Sequence, residues 1–194
     1  MSLILESTPA PGVTVLTMNR PDARNALSIE LRQEMTAALE TCATSEEVRA
    51  VVLTGGETVF AAGADLREMA RIRPRDQLLK NIEQHWRALS AFPKPLIAAV
   101  NGLALGGGFE MAMHADIIVA GRCARFGLPE VTLGLMPGGG GTQRLARAVG
   151  KAQAMRYLLT GDRIDADRAL ALGIVSELAE EQAAIPAAVA LAAR

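Results

Sequence analysis

The stretch Pro95–Glu110, P-L-I-A-A-V-N-G-L-A-L-G-G-G-F-E, constrains the fold more than any other part of the chain. An apolar run typical of a buried strand leads into three glycines, then into a predicted helix with Glu110 in its first turn. Glycine lets a ligand oxygen approach the backbone, and a helix N-terminus offers unpaired N–H groups and a positive dipole end. The pattern predicts an anion or oxyanion site beside a carboxylate, with a plain strand-to-helix turn as the alternative.

Glycine spacing and composition argue against several function classes. The glycines match neither G-x-G-x-x-G nor G-x-x-x-x-G-K-[ST], which disfavours a dinucleotide or P-loop site. The formal net charge is −1 over 194 residues, which argues against binding to nucleic acid or anionic membrane. There is no signal-peptide pattern and no apolar run of membrane-spanning length, so a cytoplasmic protein is expected. Two isolated cysteines, Cys42 and Cys123, are typical of free thiols.

Strands and helices alternate along the chain, which predicts an α/β fold with mainly parallel pairing. Besides the opening strand, apolar runs predict strands over 13–18, 48–53, 116–120 and 174–178. Apolar stripes at helical spacing predict helices over 28–41, 76–90, 109–115, 142–149 and 152–160, with Asp76 and Thr142 as N-caps. A further helix is expected from the N-cap Asp165 to Gly173. Residues 125–141 are expected to be irregular but packed on the core, and the apolar tail 183–194 to be uncovered.

Two glutamates stand in apolar surroundings, each beside glycine-rich backbone. Glu110 follows the three glycines, and Glu130 follows Leu128-Pro129. A carboxylate so placed needs a partner or has a perturbed pKa, which suits general acid and base chemistry, although helix-end and loop-capping roles are the alternatives. His114 shares the helix face of Glu110, but no third metal ligand follows it, so a packed or hydrogen-bonded histidine is expected and no metal site.

The segment Phe60–Leu66, F-A-A-G-A-D-L, offers a second loop of small residues. Gly63 and Ala64 can present N–H groups with little steric cover, whereas a simple connection with Asp65 as helix N-cap is the alternative. A local basic run follows, which is either a solvated face or a contact for phosphate groups of a large anionic substrate. Its members are Arg67, Arg71, Arg73 and Arg75.

In ordered combination these segments resemble the enoyl-CoA hydratase/isomerase (crotonase) superfamily along essentially the whole chain. The segments that carry the resemblance are N-R-P-D-A-R-N-A-L, F-A-A-G-A-D-L-R-E-M, P-L-I-A-A-V-N-G-L-A-L-G-G-G-F-E-M-A, A-R-F-G-L-P-E-V-T-L-G-L-M-P-G-G-G-G-T-Q-R-L and L-L-T-G-D-R-I-D-A-D-R-A-L-A-L-G-I-V. The resemblance implies one crotonase-like domain over residues 1–194, folded as a superhelix of repeated ββα units. It also implies an acyl-CoA thioester substrate and a homotrimer, often paired into a hexamer as a dimer of trimers.

The resemblance also implies roles for individual residues. The backbone N–H groups of Ala64 and Gly107 would form the oxyanion hole, while Gly106 and Gly108 would let the backbone turn. Substrate-binding positions implied by the resemblance are Arg24, Ala26, Ala62, Ala64, Asp65, Leu66, Arg67 and Gly107.

Both family positions for catalytic acids are filled, which favours a hydratase that converts a trans-2-enoyl-CoA into a 3-hydroxyacyl-CoA. Glu110 would help deprotonate water for attack at C3, and Glu130 would protonate C2, with no metal or redox cofactor. The segment around Glu130 is especially similar to the hydratases of phenylacetate breakdown, which act on dehydroadipyl-CoA. An isomerase with Glu130 as main base and a non-catalytic binding protein of the same fold are the alternatives. Members usually continue beyond the point matching Arg194, so the C-terminal helical region that builds the trimer is expected to be incomplete.

Overall fold

The computed structural model describes residues 2–72 and 82–194. Its strands are β1 (Ile4–Ala10), β2 (Val13–Met18), β3 (Ala50–Thr54), β4 (Val59–Ala61), β5 (Leu96–Val100), β6 (Leu103–Leu105), β7 (Ile117–Gly121), β8 (Arg125–Gly127), β9 (Ile164–Asp165) and β10 (Glu177–Ala179). Its α-helices are α1 (Ile29–Thr44), α2 (Leu66–Met69), α3 (Ile82–Ser90), α4 (Gly107–His114), α5 (Gly141–Thr160), α6 (Ala166–Ala171) and α7 (Ala184–Ala192). Single 3₁₀ segments span Pro21–Ala23 and Pro129–Leu133.

The strands form a larger sheet in the order β1-β2-β3-β5-β7-β10 and a smaller sheet in the order β4-β6-β8-β9. Only the β1–β2 and β8–β9 pairs among those described are antiparallel. Along the chain, β3-β4, β5-β6 and β7-β8 each place one strand in each sheet, and a helix follows each pair. This is the expected repeated ββα architecture, and the prediction of an α/β fold with mainly parallel pairing is confirmed.

The smaller sheet is not predicted from the sequence. Pro95–Leu105 was expected to hold one strand, but it holds β5 and β6 in different sheets, separated by a corner at Gly102 with φ +61°. Likewise, β4 occupies the start of the segment expected to be a loop, and β8 lies inside the segment expected to be irregular. Strands of three residues are too short to produce a readable period-two pattern.

Two apolar layers cover the larger sheet, because alternate side chains of a strand point to opposite faces. On β5, Leu96 and Ala98 join the layer under α1, whereas Ile97 and Ala99 pack against the layer that includes Ala184 and Ala188 of α7. The prediction that the apolar tail is uncovered is therefore wrong for one of its faces, which the sheet buries. The predicted stripe of α1 is confirmed, since its members are buried: Leu31, Met35, Ala38, Leu39 and Cys42.

Several helices begin with a side-chain N-cap, whereas the cap predicted at Thr142 is not formed. Ser28, Asp65 and Asp165 each accept a backbone N–H as N-caps, as serine and aspartate commonly do. Thr142 is not an N-cap; α5 begins one residue earlier, at Gly141, after Gly140 in the left-handed region. Its helical path breaks at Gly150, with φ +77°, close to the gap expected between two helices.

Some predictions fall outside the described residues or are shifted slightly. The first turns of the helix expected over 76–90, with Asp76, lie outside them, as do Arg73 and Arg75. The last strand is β10 rather than 174–178. Cys42 and Cys123 are both free thiols. Within the described ranges, no helix has the length and hydrophobicity needed to cross a membrane.

Candidate active site

A cavity of about 520 Å³ lies where the parallel strands β4, β6 and β8 of the smaller sheet end. The segment after β4 brings Ala64, the segment after β6 brings Gly107, and the segment after β8 brings Glu130. Carboxyl ends of neighbouring parallel strands meet at one edge, so the topology gathers three segments that are distant in sequence. Predicted site residues that line this cavity are Ala62, Ala64, Asp65, Leu66, Gly107, Glu110 and Glu130.

The glycine corner after β6 has a backbone that other residues rarely adopt. Gly106 has φ +51° and ψ −126°, and its N–H donates to the Gly127 carbonyl at 2.8 Å. A Cβ on Gly106 would lie 3.0 Å from Oε1 of Glu130, so the missing side chain also makes room for that carboxylate. The prediction that Gly108 lets the backbone turn is wrong. It lies inside α4, where a Cβ would come within 2.3 Å of the Ala61 carbonyl, so it permits close packing of helix on strand.

The N–H groups of Ala64 and Gly107 lie side by side. A Cβ on Gly107 would be 3.8 Å from the Ala64 nitrogen, and one on Gly63 would be 3.7 Å from the Gly107 nitrogen. Gly107 is the first residue of α4, where helix geometry leaves the N–H without an intrahelical acceptor. Across residues 2–72 and 82–194, no protein acceptor is found for either N–H. Two adjacent unpaired donors can stabilise a negatively charged oxygen.

Glu110 is buried, with 2% of its surface exposed, on the first turn of α4. Its Oε1 accepts two backbone hydrogen bonds, from Gly139 at 2.7 Å and Gly141 at 2.8 Å. Burial raises the pKa of Glu110 above its ordinary value, and these two N–H groups and the charge of Arg32 oppose that shift. Two glycines around the start of α5, Gly139 and Gly141, thus hold a carboxylate of another helix, a role that the sequence did not reveal.

Glu130 lies on the 3₁₀ segment Pro129–Leu133 and is half-buried. Its Oε2 is buried and has no hydrogen-bond partner in the part of the chain that the structure describes. Burial and then the negative charge of Glu110 raise its pKa, against a backbone hydrogen bond of its own that lowers it. The two glutamates therefore share one cavity but differ in surroundings: one carboxylate has two N–H partners, and the other has a bare oxygen beside a like charge.

His114 is a packed, hydrogen-bonded residue, as predicted. Arg144 donates to its Nδ1 at 2.8 Å, and because arginine cannot accept, the proton of the neutral ring lies on Nε2, which donates to the Gly139 carbonyl at 2.9 Å. The pKa of His114 is lowered to about 4, chiefly by burial and also by the charge of Arg144, while the Gly139 hydrogen bond opposes the shift. Trp86 stacks on the ring at 5.4 Å between centroids. His114 thus secures the glycine segment that holds Glu110.

Asp65 has a structural partner that the sequence reading did not identify. Its carboxylate accepts from the N–H groups of Arg67 and Glu68 and forms an ion pair with Arg20 at 3.1 Å. Partial burial raises the pKa of Asp65, but the Glu68 N–H, the Arg20 guanidinium and the Arg67 N–H outweigh it and lower the pKa overall. The predicted N-cap is confirmed. Arg20 lies in a loop with a second arginine, Arg24, and the sequence does not indicate which of the two pairs with Asp65.

Three predicted substrate-binding residues do not line the cavity: Arg24, Ala26 and Arg67. Arg24 is an exposed residue in the left-handed region, with φ 50°, and its carbonyl accepts from the Ala62 N–H at 3.0 Å. Ala26 accepts from the Arg20 guanidinium through its carbonyl. Arg67 is exposed on α2. Arg24 and Arg67 are nevertheless next to the lining residues Ala62 and Leu66, through a hydrogen bond and through the chain respectively. No cluster of three or more potential metal ligands occurs within residues 2–72 and 82–194.

Comparisons with known proteins identify relatives of this chain. The family model for enoyl-CoA hydratase/isomerase matches residues 9–194. The chain is 49% identical over 182 residues to the 2,3-dehydroadipyl-CoA hydratase of Escherichia coli (strain K12), covering 94% of this chain and 71% of that protein. It is 49% identical over 166 residues to the mitochondrial enoyl-CoA hydratase of Pongo abelii, covering 86% of this chain and 57% of that protein.

Solved structures give the same result for the fold. An enoyl-CoA hydratase subunit of Geobacillus kaustophilus HTA426 superposes with a TM-score of 0.93 at 44% identity. The superposition covers 98% of this chain and 74% of that one. An enoyl-CoA hydratase of Bacillus anthracis gives a TM-score of 0.93 at 35% identity, covering 98% of this chain and 75% of that one. Agreement over nearly all of this chain extends to both sheets.

Proposed function

The chain belongs to the enoyl-CoA hydratase/isomerase family, and on that premise we propose that it adds water to a trans-2-enoyl-CoA thioester, forming a 3-hydroxyacyl-CoA. One observation carries the proposal. Two glutamates of unlike surroundings face a cavity that also presents two adjacent backbone N–H groups, for which residues 2–72 and 82–194 contain no acceptor. Water addition needs a base, an acid and a place for the charge on the thioester oxygen, and the cavity offers a group for each.

In this proposal the Ala64 and Gly107 N–H groups bind the thioester carbonyl oxygen. As water attacks C3, the C2–C3 π electrons move toward the carbonyl, and the oxygen gains enolate charge. Both donors belong to backbone fixed by the strand ends, so they need no reorganisation when the charge develops. Removing one such donor from an oxyanion hole typically costs about 10²–10³ in rate.

The surroundings of the two carboxylates support an assignment of roles. Two N–H groups favour the ionised form of Glu110, so it is the base that takes a proton from water. A bare oxygen and a neighbouring negative charge favour the protonated form of Glu130, so it is the acid that gives a proton to C2. The hydroxyl oxygen bonds to C3, the enolate returns its electron pair to C2, and one water is consumed.

The CoA part of the substrate is proposed to follow the cavity edge past Ala62, Asp65 and Leu66 toward Arg24, Ala26 and Arg67. The ion pair of Asp65 with Arg20 supports a positioning role for Asp65, because its carboxylate is already used at the start of α2. Addition of water transfers no electrons to the protein, so the proposal includes no redox cofactor and no metal, only the CoA that belongs to the substrate.

Assembly, location and pathway are proposed on family grounds. We propose a homotrimer or a dimer of trimers, without nucleic acid or membrane as partner, in the cytoplasm, where free thiols such as Cys42 and Cys123 persist. Fatty-acid β-oxidation and phenylacetate degradation are the candidate pathways, the second because of the relative named for 2,3-dehydroadipyl-CoA. The chain spans 57% to 71% of the length of the two relatives named above, so these proposals concern the matched region.

The test is loss of the enoyl-thioester absorbance across short, long and dicarboxylic trans-2-enoyl-CoAs, with product identified by mass spectrometry. Turnover with a mass gain of one water supports the hydratase. Migration of the double bond of a 3-enoyl-CoA without water uptake would assign the chain to the isomerases instead. No turnover of any thioester by an assembled oligomer would favour a non-catalytic binding protein.

A further inference from the structure

Arg32 on α1 lines the same cavity, and the mechanism above does not use it. Its Nε is buried without a hydrogen-bond partner. Within the described residues, no group accepts a hydrogen bond from its guanidinium, and no carboxylate forms an ion pair with it. A guanidinium stays protonated in proteins, so this is a desolvated positive charge with free N–H donors, which is costly unless a ligand compensates it.

The titratable groups that face Arg32 are already engaged elsewhere. Glu68 of α2 accepts from the Ile29 N–H at 2.9 Å, and Glu110 of α4 binds the glycine segment. His85 of α3 has a pKa lowered by burial and then by the charge of Arg32, so it adds no second positive charge near neutral pH. Both carboxylates attract Arg32 electrostatically without contacting it. The donors of Arg32 are thus available to a molecule in the cavity.

Arg32 is also connected to the proposed reaction centre by the indole of Trp86. That ring lies 3.8 Å from where a Cβ on Gly107 would be, and it lines both the main cavity and a small adjoining one together with Arg32. Ile29 and Met69 add apolar surface to the wall of the main cavity. The cavity that presents the Gly107 N–H thus also offers apolar walls and a guanidinium to an acyl chain.

We propose that Arg32 binds a carboxylate at the far end of the acyl chain, so that the preferred substrate is a dicarboxylic enoyl-CoA. The planar fork of arginine matches the two oxygens of a carboxylate and forms two parallel hydrogen bonds, which an ammonium group does not reproduce. The inference rests on the proposed function, because it places an enoyl thioester in this cavity. It adds the residue that distinguishes a charged chain end from a methyl end.

The experiment compares two six-carbon trans-2-enoyl-CoAs, one ending in a methyl group and one in a carboxylate. Wild type, Arg32→Met, Arg32→Lys and the control Arg87→Met, which removes an exposed positive charge from α3, are measured for kcat/KM. The ratio of dicarboxylic to monocarboxylic kcat/KM is expected to fall roughly 10- to 100-fold in Arg32→Met, as for loss of a charged hydrogen-bond pair. Arg32→Lys should lose part of the ratio, and Arg87→Met none.

The ratio of dicarboxylic to monocarboxylic kcat/KM distinguishes carboxylate binding by Arg32 from any other effect of this residue on activity. If Arg32 served only to tune Glu110 or to bind CoA phosphates, both substrates would lose activity equally and the proposal would be overturned. An unchanged ratio in folded Arg32→Met and Arg32→Lys, verified by circular dichroism, would also overturn it.

A binding measurement separates failure of this inference from failure of the proposed function. Calorimetry with adipyl-CoA and hexanoyl-CoA, which lack the double bond, needs no turnover. A wild-type preference for adipyl-CoA that Arg32→Met removes supports the subsite even if no enoyl-CoA is hydrated. Hydration without any such preference keeps the proposed function and overturns the subsite.

Discussion

Oε1 of Glu110 accepts the Gly139 N–H at 2.7 Å, although the two residues are 29 positions apart and Gly139 lies in the loop before α5. Gly141 donates to the same oxygen, and His114 binds the Gly139 carbonyl from the other side. The glycine-rich entry to α5 is therefore a support for a carboxylate rather than a solvent-exposed turn. A Cβ on Gly139 would come within 2.5 Å of the Trp86 ring, so glycine is needed there for packing as well.

The first prediction concerns the pH dependence of catalysis. Glu110→Gln and Glu130→Gln are each expected to lower kcat about 10²–10⁴-fold, as for loss of a positioned base or acid. In wild type, activity falls at low pH as the base is protonated and at high pH as the acid is ionised. Both glutamates have raised pKa values, so both limbs lie above the ordinary glutamate range. The two limbs give apparent pKa values that belong to the coupled pair of glutamates rather than to either residue alone.

Removing the charge of Glu110 is expected to shift the alkaline limb in a direction that can be checked. The negative charge of Glu110 raises the pKa of Glu130, so Glu110→Gln should move the remaining alkaline limb to lower pH. Residual kcat measured against pH in this variant provides the readout. A limb that stays in place or moves to higher pH would contradict the electrostatic coupling of the two carboxylates.

The second prediction concerns Gly106→Ala. The substitution puts a Cβ at φ +51° and 3.0 Å from Oε1 of Glu130, so it strains the backbone and displaces the proposed acid. We expect a loss of about 1–3 kcal/mol in the free energy of unfolding and a fall in kcat, measured by urea denaturation and steady-state kinetics. Gly173→Ala is the matched control, because Gly173 has φ +75° with nothing within 4 Å and lies away from the cavity. Equal kinetic losses in both variants would refute the local explanation.

The third prediction tests His114 as a positioning residue. His114→Leu removes the hydrogen bond to the Gly139 carbonyl and leaves Arg144 without its acceptor, so the glycine segment should hold Glu110 less firmly. Weaker N–H donation to Glu110 raises its pKa further, which moves the acidic limb of the kcat profile to higher pH. His114→Gln keeps one donor and one acceptor and should restore part of the wild-type profile.

A purely structural role for His114 would give a different pattern. Stability would fall in His114→Leu while the acidic limb of the remaining activity stayed in place. Titration of His114 itself does not complicate the measurement, because burial holds its pKa at about 4 and the ring is neutral throughout the working range.

Local sequence chemistry determined the elements that contain their own signals. The sequence indicates the stripe of α1, the N-caps Asp65 and Asp165, and the glycine Gly173 that ends α6, because a period, a cap or a turn is set by neighbours in the chain. The ordered motifs also identified the family and the candidate residues Glu110 and Glu130. These inferences need no knowledge of which segments meet in space.

Only the tertiary structure determined the features that depend on contacts between segments distant in sequence. The smaller sheet exists because strands of three residues pair with one another, and it gathers Ala64, Gly107 and Glu130 at one edge. The partners of Glu110 come from a segment that the local pattern predicts to be a simple turn. The helix α5 begins at Gly141, so Thr142 lies inside it and is not its N-cap. The sequence does not show that Arg32 lacks a partner among the described residues, because a charge on a helix face looks solvated until its surroundings are known. Sequence identifies the groups that can do chemistry, and folding sets their partners, burial and hence their protonation.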